Sequence, residues 1–131
     1  MSIEDALYSK LAGAAGVAAL VGTRIYPAPL PEGAALPALT YQVISSPRNV
    51  MFGGDDGWRD PRVQITAWAS TQKGAEALAV AVEGAIVGWS GTSGSLTIQY
   101  AYVDDEAPIY SPSFMPAHHG RALDVFVQYE V

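Results

Sequence analysis

Four prolines between residues 23 and 37, at positions 27, 29, 31 and 37, constrain this chain more than any other feature. Proline fixes φ and has no N–H to donate, so this stretch is extended and cannot pair as a central strand. Before it, the apolar residues 17–21 read as a short helical turn that Gly22 terminates. After it, residues 39–45 alternate, with Leu39, Tyr41 and Val43 on one face and Thr40, Gln42 and Ile44 on the other. That pattern predicts a half-buried strand. The proline arm therefore joins a helical start to a sheet.

The rest of the chain reads by the same two periods. Ser2-Ile3-Glu4-Asp5 is a capping box, with a serine hydroxyl for the first backbone N–H groups and an acid three residues on. Ile3, Leu7, Leu11 and Ala14 then predict a helix over about 3–13. Residues 62–69 alternate with Val63, Ile65 and Ala67 inward and run straight into a second helix that Ser70 or Thr71 can cap. Ala75, Leu78, Ala79, Val82, Ile86 and Trp89 form one apolar stripe on that helix, over 72–88. Leu96, Ile98, Tyr100 and Tyr102 alternate in a third strand, and Leu123, Val125, Val127 and Tyr129 share one face of a fourth. The order predicts an α+β fold: a four-stranded, mostly antiparallel sheet packed by two helices. The proline arm and two long loops, over 46–61 and 104–120, complete it. Loops of that length are commonly functional.

Composition narrows the function classes. At 131 residues the chain predicts one domain, and with 50% hydrophobic and 15% charged residues it can build a core. Much of the apolar share is alanine, which predicts a thin core that association would help to stabilise. A net charge of −6 with seven basic residues leaves no footprint for nucleic acid. Without cysteine there are no disulfides and no thiolate zinc sites, which fits a reducing cytoplasm. The apolar run 11–22 is preceded by Glu4 and Asp5 rather than a positive leader, and it is too short and glycine-rich to span a bilayer. These features predict a soluble intracellular protein with no membrane partner.

No catalytic set stands out. Asp104, Asp105, Glu106, His118 and His119 are the only clusters that could bind metal or move protons. Adjacent histidines in a strand point to opposite faces, and acids at a strand end serve solubility, so solvated loops are the simpler reading. The run 53–57, Gly-Gly-Asp-Asp-Gly, lacks the lysine and following helix of a phosphate loop and carries the wrong charge. We therefore expect no catalytic residue, metal or cofactor. Trp89 continues the helical stripe and reads as core. Trp68 alternates away from Val63 and Ile65 and faces another layer or a partner. Trp58 and Arg59, beside the flexible tip, are the strongest interface candidates, since tryptophan and arginine are enriched at hot spots. Arg48, Asp55 and Asp56 of the same loop join them.

Several pieces together carry a family resemblance: Val17-x-x-Leu-Val-Gly-x-Arg-Ile-Tyr-Pro, Pro31-x-Gly33, Leu36-Pro-x-Leu-Thr-Tyr-Gln-x-Ile-Ser45 and Arg62-Val-Gln-Ile-x-Ala-Trp-Ala69. In order and spacing the chain resembles the tail-completion, or tail-terminator, proteins of long-tailed phages, prophages and gene transfer agents, as one such domain over 1–131. The resemblance implies a structural, non-enzymatic protein that forms a hexameric ring with copies of itself. It implies that the ring caps the tail-tube protein, ends tube growth and receives a head-completion or connector protein. It also implies assembly in the host cytoplasm and a final place in the virion tail or neck. DNA would pass the acidic ring without specific binding, and the acidic residues Asp104, Asp105 and Glu106 would line the lumen. A neck connector is the alternative role; a small ligand-binding or enzymatic α+β domain, or a monomeric interaction module, is a further one.

Overall fold

The computed structural model describes residues 2–51, 54–111 and 118–130; the side chains of 48–51, 54–56, 110 and 111 lie outside that description. Local signals set the helices. The Ser2 hydroxyl accepts the Asp5 N–H at 3.1 Å, and the Asp5 carboxylate accepts the Ser2 N–H at 3.3 Å. This reciprocal box opens α1 (Ile3–Gly13). α2 (Ala15–Val21) ends at Gly22, whose φ of 57° a side chain would resist. α3 (Gln72–Ile86) starts where the Thr71 hydroxyl accepts the Gly74 N–H at 3.0 Å. Thr71→Ala is expected to cost about 1 kcal/mol. It should lower the denaturant midpoint without changing the slope.

Eight strands among the described residues form one sheet. They are β1 (Ile25–Pro27), β2 (Ala38–Ser45), β3 (Arg48–Met51), β4 (Gly54–Arg59), β5 (Arg62–Ala69), β6 (Gly91–Ser93), β7 (Leu96–Ser111) and β8 (His118–Glu130). β8 is the hub. β5 runs antiparallel along one of its edges and β7 along the other. Tyr129 pairs with Ile98 of β7 and with Arg59 of β4, so β4 lies on the same side of β8 as β5. β2 follows β5, and β1 pairs parallel to β2 at the sheet's edge. β3 pairs with β4, and β6 with β7. The proline arm thus contributes an edge strand, as proline permits.

This corrects the expected architecture: the sheet has eight strands rather than four, and the helices number three rather than two. Most of the added strands lie in the stretches expected to be loops. Residues 46–61 contain the β3–β4 hairpin, and residues 104–111 extend β7. Residues 104–108 are exposed although they are strand. A strand held by its neighbour's backbone, with solvent on its side chains, needs no alternating apolar pattern, so periodicity cannot reveal it. Gly53, at the expected loop tip, lies outside the described residues.

Two register shifts in β7, between Ile98 and Tyr100 and between Val103 and Asp105, also reset which side chains face inward. Leu96, Ile98 and Ala101 are buried, whereas Tyr100 is 47% exposed. Tyr100 therefore does not share the face of Leu96 and Ile98, as simple alternation predicts.

All three helices contribute to the core. α3 buries Leu78, Val82 and Ile86 against the sheet, in one cluster with Ile65, Leu123 and Val125. Leu7 and Leu11 of α1 and Val17 and Val21 of α2 are also fully buried there. Arg24 ties the proline arm down, donating to the carbonyls of Pro37 at 2.8 Å and Leu20 at 3.2 Å. Burial first, then the charges of Asp5 and Glu4, raise the Tyr41 hydroxyl pKa. Among the described residues no helix is long and apolar enough to cross a membrane.

Candidate functional site

Strand pairing lays out the sheet face opposite α3 in rows, because directly opposed residues share a face. Ala38, Trp68, Gly120 and Ile109 form one row across β2, β5, β8 and β7. Thr40, Thr66, Ala122 and Ala107 form the next, followed by Gln42, Gln64, Asp124 and Asp105. Arg62, Phe126 and Tyr102 come after them, with Gln128 and Tyr100 beyond. The face thus runs from a threonine and glutamine half to an aromatic half.

Its side chains hold one another. Gln42 Nε2 donates to Gln64 Oε1 at 3.0 Å, and Trp68 Nε1 donates to Thr40 Oγ1 at 3.0 Å. Arg62 pairs with Asp124 at 2.6 Å, and that bond raises the guanidinium pKa further. Tyr102 stacks between Tyr100, at 6.1 Å, and Phe126, at 5.5 Å. Gly120 leaves the room for Trp68. A Cβ there would stand 3.0 Å from Trp68 Cε3 and 3.1 Å from Cζ3. Beside the indole, Pro29 and Leu30 of the proline arm and Ile109 rim a depression of about 330 Å³ floored by Thr40, Gln42, Gln64 and Thr66. Amides and hydroxyls of this kind can donate and accept hydrogen bonds.

The candidate residues are placed differently from expectation. Trp58 and Arg59 stand in β4 rather than in a loop, paired with Glu130 and Tyr129. Trp58 is half-buried, and Arg59 is only 8% exposed, donating to the Trp58 carbonyl at 3.0 Å. Arg59 is therefore a buried part of the subunit, and removing it would disturb the fold. Arg48 lies in β3, and Asp55 and Asp56 in β4; their side chains lie outside the description.

Asp104, Asp105 and Glu106 belong to β7, not to a loop. Asp105 shares the row of Asp124 on the helix-free face. Glu106 meets Arg121 at 2.6 Å, and Arg121 approaches Glu76 of α3 at 3.9 Å. The strand pleat thus splits the acidic cluster between two sides. It splits the histidines likewise: His118 lies edge-on to Trp68 at 6.4 Å, while His119 lines a cavity with Gln72 and Ala75 of α3. Among the described residues no three histidine, aspartate or glutamate side chains gather as a metal site.

Thr40, Gln42, Gln64, Thr66, Gly120 and Phe126 escaped the sequence reading as site residues. The polar residues at alternate strand positions were visible; that the strands stack them into one surface was not.

A family model described as "Tail completion protein gp17" matches residues 5–113. Among curated proteins none matches significantly. Among solved structures, a chain of the "Virion of native gene transfer agent (GTA) particle" shares the fold, with a TM-score of 0.74 and 20% identity over 95% of this chain and 92% of that one.

Proposed function

We propose that this chain, which belongs to the tail completion protein gp17 family, caps the end of a tail tube, stops its polymerisation and presents a surface for head attachment. The observation that carries the reading is the family match across residues 5–113. The family is one of structural tail proteins, which supports a non-enzymatic role. The fold shared with a chain of a gene transfer agent virion supports a place in the tail or neck of such a particle.

In this reading the chain acts as a single domain that assembles in the host cytoplasm and joins copies of itself into a ring, with six as the expected number. A ring is a head-to-tail contact that closes by rotation. Its partners are the tail-tube protein on one side and a head-completion or connector protein on the other. A net charge of −6 per copy lets DNA pass, because tight binding would need cations on the phosphates. The helix-free face offers Gln42, Gln64, Tyr100 and Tyr102 for protein contacts, and Trp58 at the β4–β8 junction remains a contact candidate beside it.

The test is tube length. Purified tube subunits polymerising in vitro should stop growing when this protein is added, and electron microscopy should show it at one tube end. Particles made without it should carry overlong tails that do not join heads. Tubes of unchanged length, together with normal particles in its absence, would refute the reading.

A further inference from the structure

Besides the β1 edge, two unequal edges of the described sheet are open. On one side, among the described strands the β3–β4 hairpin pairs with β8 at two register positions, Trp58 with Glu130 and Arg59 with Tyr129. β3 itself pairs with β4 alone among the described strands. A two-stranded hairpin by itself is marginally stable in water and gains from a third strand.

On the other side, β7 has an open edge. β6 covers its start, from Leu96 to Ile98, and the Gly88 N–H reaches the Ala101 carbonyl at 3.0 Å. From residue 102 onward no described strand pairs with that edge. Pro108 interrupts it, since proline cannot donate to a ladder. The stretch left open is therefore 102–107, with the register shift between Val103 and Asp105 inside it and the Glu106 N–H donated to the Asp105 carboxylate at 2.9 Å; its six residues still exceed the four of β3. Open edges of this kind accept an added strand through backbone hydrogen bonds. In sequence the two edges also complement each other. Residues 48–51 read Arg-Asn-Val-Met, with one cation and no acid, while residues 104–106 are Asp-Asp-Glu.

We propose that β3 of one copy adds as a strand to the 102–107 edge of β7 in the next copy. The inference rests on the ring reading above and names the surface that would build the ring. The two edges are different and lie at opposite ends of the strand order β3-β4-β8-β7. Their pairing is head-to-tail and suits a closed ring, whereas a like-with-like edge contact would stop at a dimer. The neighbour's β7 would also flank β3 on the edge that no described strand of its own subunit covers.

The chain has no cysteine, which makes cross-linking a clean test. Asn49→Cys and Val50→Cys are each combined with Asp104→Cys, Asp105→Cys or Glu106→Cys, covering both faces of the strands. Within one subunit three strand spacings, about 14 Å, separate β3 from β7. A disulfide needs Cα atoms within about 7 Å, so any bond must join two copies. Under mild oxidation at least one double variant should give a ladder of covalent multimers, ending at the ring's copy number and collapsing under reductant. Single variants should give no efficient cross-link. An intact ring by native mass spectrometry with no cross-link in any combination overturns the edge pairing while leaving the ring in place. Efficient dimers from a single β7 cysteine would show like-with-like pairing and also overturn it. A monomer under every condition, including with tube ends present, removes the ring reading and this inference together.

Discussion

Leu78→Ala is expected to cost about 2–5 kcal/mol of folding stability, the range for deleting a fully buried leucine. Leu78 has no exposed surface and sits mid-helix in the α3 stripe, in the same cluster as Ile65, Leu123 and Val125. The floor beneath it is a hydrogen-bonded sheet, which cannot collapse to fill the space. Val82→Asp should be worse, because Val82 is equally buried and a carboxylate there would have no cation beside it. Among the described core residues the only buried charged side chain is Arg59, which lies on β4. Chemical denaturation followed by circular dichroism measures both. Unchanged midpoints for the two variants would mean that α3 does not pack on the sheet.

Trp68→Ala is expected to cost about 2–4 kcal/mol, somewhat less than a fully buried tryptophan because the side chain is half-exposed. The indole fills the space that Gly120 leaves open in the central strand and holds the Thr40 hydroxyl. Without it, a gap opens over bare backbone and the threonine loses its donor. Trp68→Phe separates the two contributions. It keeps an aromatic ring over Gly120 and removes the hydrogen bond, so about 1 kcal/mol should be lost. Calorimetric melting of the pair gives the comparison. If phenylalanine proves as costly as alanine, the hydrogen bond rather than the ring holds this face together.

Both predictions concern residues that sequence patterns placed well, and the contrast with the others is physical. Where one side of an element is buried, the hydrophobic effect writes its period into the chain. Val63, Ile65 and Ala67 alternate in β5, and Leu78, Val82 and Ile86 recur in α3, so both elements were legible. Caps are legible too, because Ser2 and Thr71 act within three residues of themselves. The family was legible through the ordered set of short motifs, and the comparison bears it out over residues 5–113.

What side-chain periodicity did not show was decided by strand pairing. Residues 54–59 are strand because they pair with β3 at one end and with β8 at Trp58 and Arg59, and residues 104–111 because they pair with β8; backbone pairing leaves no trace in side-chain period. The register shifts in β7 turned Tyr100 outward for the same reason. Arg59 is buried in β4, where it pairs with Tyr129, a placement no local pattern in the chain announces. The helix-free face is the clearest case. Thr40, Gln64, Asp124 and Phe126 are unremarkable polar or aromatic residues in sequence. Only the stacking of β2, β5, β8 and β7 at fixed register makes them one surface, because pairing partners in a sheet are chosen by topology and not by local pattern.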